Sequence, residues 1–407
     1  GLIDAIEGFI VLMVDHAPDP DDLPPVGKNV PADTREIIET ARAEMLLARG
    51  NSAAALGVLE PLGQTTSTFA LGRSSAEPWA IFLEGRLDEA LDKALSLMTV
   101  ARREFDVEGI VGSAYVAAQV YLTRGRTPEL RALLGSVLSA GVLPPLQRPQ
   151  HVALLSIAAT LAAEEGRHAT ARTLAQQALA LQTGPGAWPL GSPTQAIAHL
   201  DAADLPPAQA HAQAAEKLWT EAVTLVDKGY LASGYTAGML AVVEEPTKDR
   251  GKTMAKWLKQ LDAPVFRQLG LMVTALCDGD PEKLITAAEH LANAGYVWQA
   301  TRAYAAGLAA LRSSGGAARA AEVHEDARRR LEQWGPQAAA GLRSAAEGAE
   351  LTAREDEIAR LAASGMSNQE IARRLLISVR TVENHLHRVF RKLGVENRAE
   401  MSRVIQG

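Results

Sequence analysis

The sequence has almost no cysteine and few aromatic residues. Cys277 is the only cysteine among 407 residues, so one chain can form neither a disulfide framework nor a cysteine-based zinc site. We interpret its thiol as a small buried apolar group. Aromatic residues make up 4% of the chain, whereas alanine and leucine are abundant. This composition favours packed helices over an aromatic-rich β-sandwich.

Long apolar runs are missing too. No stretch approaches the roughly 18 apolar residues that a membrane-spanning helix needs, and no signal peptide is recognisable at the N-terminus. We therefore expect a soluble, cytoplasmic protein without membrane contact. A length of 407 residues is too great for one ordinary core and predicts several domains or a repeat architecture. The chain starts at Gly1 rather than methionine, which is compatible with a fragment of a longer protein.

The sequence also lacks the usual patterns of catalytic and cofactor sites. The nearest approach to a phosphate-binding loop is PTKDRGKT at residues 246–253, where Pro246 occupies the first glycine position. No apolar strand precedes this segment, so we interpret the match of Gly251 and Lys252 as chance. A receiver-type β/α alternation and the HExxH metal motif are missing as well. We expect no enzymatic activity, no cofactor and no metal.

Acidic charge dominates most of the chain but not its end. Residues 351–407 carry ten basic and seven acidic side chains, a net of +3, which leaves 31 basic and 41 acidic side chains, a net of −10, on residues 1–350. A local basic excess is the electrostatic pattern expected of a module that lies along phosphates. The two parts therefore have different partners.

Residues 31–340 repeat a helix, a glycine-containing turn and a second helix. Successive turn glycines lie 35, 40 and 41 residues apart, and a later pair lies 37 apart: Gly50, Gly85, Gly125 and Gly166, then Gly279 and Gly316. Such periods fit tetratricopeptide-like hairpins. Apolar positions three and four residues apart predict one buried face per helix. We predict an all-α, elongated helical-repeat solenoid in which hairpins contact their neighbours.

Three stretches depart from the repeat. Residues 183–207 and 229–251 are interrupted by proline or glycine, and we interpret them as loops or irregular repeats. Residues 17–31 contain five prolines, so we interpret residues 1–30 as an N-terminal segment with an exposed linker. Residues 341–350 are expected to be a second linker.

The concave face of such a solenoid can bind a peptide, a protein or an inducer. Five tryptophans could line this face, but packing between helices is the favoured role for each of them. They are Trp79, Trp188, Trp219, Trp257 and Trp298.

Residues 351–407 predict four short helices with capping residues at their ends. The capping boxes are Thr352 with Glu355, Ser367 with Glu370 and Asn397 with Glu400. Ser378 is placed to cap the third helix. Gly365 and Gly394 stand where the first and third helices should end.

The third of these helices has two different faces. Its apolar positions, which we expect to pack on the first two helices, are Val379, Val382, Leu386, Val389 and Leu393. We interpret His385 as a packing residue beside them. The opposite, polar face carries Arg380, Asn384, His387 and Arg391, flanked by Glu383 and Arg388. Such a face can enter a DNA major groove.

This segment resembles the DNA-binding domain of the LuxR/FixJ family of bacterial transcription regulators. The likeness rests on the LT-RE start, SNQEIA, S-x-x-TVxNH and the KLGVxNR close. It implies a LuxR-type helix-turn-helix that binds double-stranded DNA, and a fourth helix that supports a homodimer on DNA. RNA polymerase is a further candidate partner.

The resemblance also assigns roles on the third helix. The residues that would face bases are Thr381, Glu383, Asn384 and His387. Those that would face or border the phosphate backbone are Ser378, Arg380, Arg388, Arg391 and Lys392. Glu383 stands where relatives commonly have lysine, and a carboxylate there could accept a hydrogen bond from cytosine N4.

Residues 31–340 resemble the tetratricopeptide-like domain of the large ATP-binding LuxR regulators. Together, the two parts predict a regulator whose helical repeats sense a ligand or protein partner. Two alternatives stay open: a solenoid adaptor for protein interactions, and the output half of a nucleotide-driven regulator whose ATPase domain precedes Gly1.

Overall fold

The computed structural model describes most of the chain. The described residues are 2–27, 29–62, 73–139, 141, 148–164, 167–182, 192–202, 207–335, 338, 342, 353–375, 377–393, 395 and 397–406. Within these ranges every regular element is a helix and no strand occurs, which confirms the all-α prediction. None of these helices is long and apolar enough to cross a membrane.

The helices follow one another along the chain. In the N-terminal part they are α1 (Leu2–Val14), α2 (Ala32–Ala48), α3 (Ser52–Leu59), α4 (Arg73–Leu83), α5 (Leu87–Glu104), α6 (Val107–Thr123), α7 (Thr127–Leu138), α8 (Arg148–Glu164), α9 (His168–Leu181), α10 (Pro193–Ala202), α11 (Pro207–Asp227), α12 (Leu231–Glu244), α13 (Lys248–Leu258), α14 (Pro264–Asp278), α15 (Pro281–Asn293), α16 (Val297–Ser313) and α17 (Ala317–Glu332). The C-terminal helices are α18 (Ala353–Ala363), α19 (Asn368–Leu375), α20 (Val379–Leu393) and α21 (Arg398–Gln406). Two short 3-10 helices span Pro20–Asp22 and Glu60–Leu62.

Glycines in the left-handed conformation end the first helix of several hairpins. The predicted turn glycines with this conformation are Gly50, Gly85, Gly125 and Gly279, with φ between 66° and 82°. Gly166 lies outside the described residues. In the last predicted turn Gly315 is left-handed, with φ of 82°. Gly316 is not left-handed, because it is the N-cap residue of α17.

Residues 229–251 are mostly helical, with α12 and the start of α13, so the loop interpretation is wrong for them. Gly229, with φ of 85°, lies in the turn between α11 and α12. Gly234 lies inside α12, where a Cβ atom would lie 2.9 Å from the carbonyl oxygen of Ala222 in α11. The glycine therefore serves close helix packing and does not interrupt the helix. In the other interrupted stretch the structure describes α10.

The segment before α2 packs against the helices. Ala17, Pro20 and Leu23 are buried, and the N–H of Ala17 donates to the carbonyl of Lys228 at 2.8 Å. The guanidinium of Arg42 donates to the carbonyls of Pro20 and Leu23. The prediction of an exposed linker is wrong for these residues, because prolines prevent a helix here without preventing burial.

Helices remote in sequence also meet. Helix α2 contacts α12, α4 contacts α14 and α6 contacts α16, and their apolar side chains belong to one continuous buried cluster. The turn between α2 and α3 also contacts a remote segment, since the N–H of Ala263 donates to the carbonyl of Gly50 at 3.1 Å. These three pairs of helices therefore pack together in addition to the contacts between neighbouring hairpins.

Candidate nucleic-acid interface

The four C-terminal helices bury an apolar cluster of their own. Its fully or almost fully buried members are Ile358, Ala359, Ala362, Ile371, Ala372, Val382, Leu386, Val389 and Met401. They come from all four helices, and therefore hold α20 against α18, α19 and α21.

Reciprocal hydrogen bonds start α19. The N–H of Ser367 donates to Glu370 Oε2 at 2.7 Å, and the N–H of Glu370 donates to Ser367 Oγ at 3.3 Å. The N–H and then the hydroxyl group of Ser367, which both donate to the Glu370 carboxylate, lower its pKa. The predicted capping box is confirmed, and Gly365 is left-handed at the preceding turn. Thr352 lies outside the described residues.

Ser378 caps the recognition helix α20. The N–H of Thr381 donates to Ser378 Oγ at 3.0 Å, and the two hydroxyl groups lie 2.7 Å apart in a shared hydrogen bond. The turn before this cap is closed by the N–H of Ile377, which donates to the carbonyl of Ala372. The predicted cap is confirmed, and the half-buried Thr381 side chain is fixed by it.

At the fourth helix the predicted box pairs Asn397 with Glu400. The N–H of Glu400 donates to Asn397 Oδ1 at 3.0 Å, and the Asn397 amide donates to Glu400 Oε1 at 2.9 Å. Gly394 lies outside the described residues.

The apolar face of α20 is buried over most of its length. Val382, Leu386 and Val389 have at most 5% of their surface exposed, which confirms the predicted core side for them. Val379 is 37% exposed, so its assignment to the core is wrong: it is the first residue of α20 and has no preceding helical turn beside it. The side chain of Leu393 lies outside the described part of the structure.

The opposite face of α20 is open to solvent. Its exposed side chains are Arg380, Glu383, Asn384 and His387, and Arg388 is half-buried at its edge. The helical spacing brings these groups to one side, where a major groove could receive them. The side chains of Arg391 and Lys392 lie outside the described ones.

His385 lies towards the core side of α20 and is half-buried. Burial lowers the pKa of its imidazole, and the nearby charge of Arg388 lowers it further, while Glu355 opposes the shift. A neutral packed ring is the form that this environment favours.

Two arginines bind backbone carbonyls inside this domain, and sequence reasoning assigned neither a role. Arg354 on α18 donates to the carbonyl of Leu375 at the end of α19. Arg398 on α21 donates to the carbonyls of Ala362 and Met366. A cation at the first position of a helix opposes the helix dipole, so the placement of Arg398 was the signal available in the sequence.

The sequence match to a phosphate loop folds as a helix. Thr247 Oγ1 caps α13 by accepting from the N–H of Arg250, and the N–H of Gly251 donates to the carbonyl of Thr247. Lys252 is exposed and pairs with Asp249 at 3.1 Å. The backbone donors are therefore committed to the helix. Among the described residues, no group of three or more His, Cys, Asp or Glu side chains could hold a metal ion.

A small cavity lies among α4, α6, α12, α14 and α16, where helices remote in sequence meet. Apolar and aromatic side chains line most of it, together with Thr123, Thr236 and Gln299. The Oε1 atom of Gln299 is buried and has no hydrogen-bond partner. Among the residues that the structure describes, no charged side chain lines the cavity.

The tryptophans of the repeat region mostly pack between helices. Trp79 is buried, stacks on Phe82 at 4.7 Å and lines the cavity. Trp219 stacks on Trp257 at 5.3 Å. The packing role is confirmed for these three, whereas Trp188 lies outside the described residues.

Comparison with known proteins places the C-terminal segment. Residues 349–405 match the family described as bacterial regulatory proteins, luxR family. Over 54 residues the chain is 50% identical to the CsgBAC operon transcriptional regulatory protein of Escherichia coli K12, which covers 13% of this chain and 25% of that protein. Over 51 residues it is 45% identical to a Mycobacterium tuberculosis protein named as an HTH-type transcriptional regulator, which covers 12% of this chain and 6% of that protein.

The matched segment thus spans a quarter or less of these relatives. Its position coincides with α18 to α21 and with the predicted motif. Residues 349–405 form a LuxR-family helix-turn-helix domain.

Proposed function

We propose that the chain is a transcription regulator that binds operator DNA with α20 in the major groove. The observation that carries this proposal is the exposed polar face of α20, held above a buried apolar face in a LuxR-family domain. Relatives of this domain are named as transcriptional regulators. A regulator of this kind would act in the cytoplasm, where operator DNA is found.

Base recognition would come from the middle of the exposed face. The amide of Asn384 suits adenine N6 and N7, and the carboxylate of Glu383 can accept from cytosine N4. His387 lies one turn further along the same side, and Thr381 lies near the helix start. The phosphate-facing group would comprise Ser378, Arg380, Arg388, Arg391 and Lys392. Because the Ser378 hydroxyl already caps α20, its main contribution would be to fix the helix start.

Two variants of the full chain test this division. Operator duplexes are first selected from a random pool by the wild-type chain. Asn384→Ala should then cost about 1–3 kcal/mol on the selected operator and almost nothing on scrambled DNA. Arg380→Ala should weaken both and reduce the salt slope by about one unit.

This experiment shows whether the exposed face of α20 reads bases. Equal losses on both DNAs for Asn384→Ala would show that this residue does not read bases. A wild-type chain that binds no duplex at any salt concentration would favour the rival function, a solenoid adaptor for protein interactions.

The fourth helix is proposed to support a homodimer on DNA. A symmetric dimer predicts two inverted half-sites in the selected operator, and both should respond to Asn384→Ala. A single asymmetric site would contradict the dimer. Contact with RNA polymerase would follow promoter binding and can be measured by adding polymerase to the operator complex.

The helical repeats are proposed to sense a ligand or a partner. Support comes from the contacts of α4 with α14 and of α6 with α16, since a ligand or partner that binds across these helices would change how they pack on each other. The cavity at this junction has room for about one water molecule, so it is not the proposed ligand site. A thermal-shift screen of metabolites on the full chain tests ligand binding. A screen without any stabilising compound would favour a protein partner.

A further inference from the structure

Arg398, the first residue of α21, extends its side chain to the end of α18 and to the turn after it. Its Nε and Nη2 atoms donate to the carbonyl of Ala362 at 3.2 and 3.0 Å. Nη1 donates to Asn368 Oδ1 at 3.1 Å, and Nη2 also donates to the carbonyl of Met366. One guanidinium therefore joins three elements: α21, the last turn of α18 and the first residue of α19.

The acceptors explain why an arginine is stable in this position. Carbonyls in the last turn of a helix lack intrahelical partners and carry partial negative charge. Ala362 is the penultimate residue of α18. Its carbonyl accepts from the N–H of Gly365 at 3.1 Å, and its second lone pair can accept from Arg398. At the start of its own helix, by contrast, the charge of Arg398 opposes the dipole. The favourable contacts of this side chain are therefore with α18 and the turn, not with α21.

The same geometry argues against a phosphate contact. A guanidinium has five N–H groups, and the hydrogen bonds of Arg398 engage four of them. The side chain is also partly buried. Little of its donor capacity remains for DNA.

The turn that Arg398 binds leads directly into α19, which packs on α20. We propose that Arg398 is a positioning residue for DNA reading: it fixes α21 to the α18–α19 turn and thereby sets the position of α19 and α20 relative to α21. This inference rests on the proposed DNA-binding function. Arg398 reaches its three acceptors from three different nitrogen atoms, whereas lysine has one nitrogen atom on a flexible stem. We therefore expect lysine to keep only part of these hydrogen bonds.

The test compares Arg398→Lys with wild type in the full chain, using the selected operator and scrambled DNA. Arg398→Lys keeps the charge and should lose about tenfold in operator affinity, with the salt slope unchanged. Arg380→Ala serves as the contrasting control, because a phosphate contact should reduce the slope by about one unit. Wild-type affinity in Arg398→Lys, or a reduced salt slope, would overturn the proposal.

Two further measurements keep the proposal testable if Arg398→Lys unfolds the domain or if no duplex is bound. Asn368→Ala removes one acceptor only and should lower operator affinity in the same direction by a smaller factor; unchanged affinity would count against positioning. Without DNA, backbone amide exchange at residues 366–371 should be faster in Asn368→Ala and Arg398→Lys than in wild type. Unchanged exchange in both variants would overturn the role of Arg398 whether or not the chain binds DNA.

Discussion

Replacing glycine by alanine should change stability in opposite directions at two helix interiors of this protein. At Gly234 in α12, a Cβ atom would lie 2.9 Å from the carbonyl oxygen of Ala222 and 3.1 Å from the backbone nitrogen of Val226. Both atoms belong to the backbone of α11. At Gly135 in α7, nothing lies within 4 Å of the added atom, and the site is exposed.

The magnitudes follow from these two environments. Alanine in a helix interior stabilises the folded state by about 0.5–1 kcal/mol relative to glycine. Gly135→Ala should show this gain in full. At Gly234 the backbone of α11 cannot rotate away as a side chain could, so overpacking should cost about 1–3 kcal/mol. We therefore expect Gly234→Ala to lower the free energy of unfolding by about 1–2 kcal/mol.

Thermal and urea unfolding of the full chain, followed by circular dichroism, would measure both variants beside wild type. Because a chain with several separate apolar clusters need not unfold in one step, both variants are compared at the midpoint of a single transition. That transition is the one that Gly135→Ala also shifts. Stabilisation of equal size in both variants would refute the close approach of α11 and α12. It would also remove the physical reason given for glycine inside α12.

Two further outcomes can be checked. Glu44 is buried, and burial raises the pKa of its carboxyl group well above the usual value. The contribution of this carboxyl group to the free energy of unfolding is fully present below its unfolded-state pKa. It is lost as the pH rises towards the folded-state pKa, because the unfolded chain ionises more readily. Glu44→Gln should consequently gain in thermal midpoint relative to wild type as the pH rises above the ordinary glutamate pKa of about 4.3, and parallel curves would contradict this. The chain should not bind ATP, because the N–H of Gly251 is hydrogen-bonded within α13; calorimetry showing micromolar binding that Lys252→Ala abolishes would contradict this expectation.

Features that depend on residues close in sequence could be predicted from the sequence. The capping pair of Ser367 and Glu370 spans three residues, and Ser378 caps a helix that begins at the next residue. The left-handed glycines are equally local, because each ends one helix and permits the turn to the next. In these cases the residue type alone indicates the local backbone geometry, and the predictions are confirmed.

Features that depend on distant partners could not be predicted in this way. Apolar spacing indicates which side of α4 is buried, but it does not indicate that α14 covers that side. Five prolines suggested an exposed linker, yet Arg42 on α2 supplies hydrogen bonds to the carbonyls of this segment. The role of Arg398 depends on Ala362, which lies 36 positions earlier. Each of these contacts requires the tertiary arrangement, and the local sequence does not identify the partner.

The recognition helix shows why its fold could be predicted and its target could not. Burial of Val382, Leu386 and Val389 fixes the rotation of α20 about its axis. That rotation leaves Glu383 and Asn384 exposed, so their identities are nearly free of folding constraints. A change between lysine and glutamate at position 383 therefore alters which base edge can be contacted without disturbing the apolar cluster. Residues that the fold does not constrain are the ones that can diverge between relatives, and for that reason the operator has to be determined by selection on DNA.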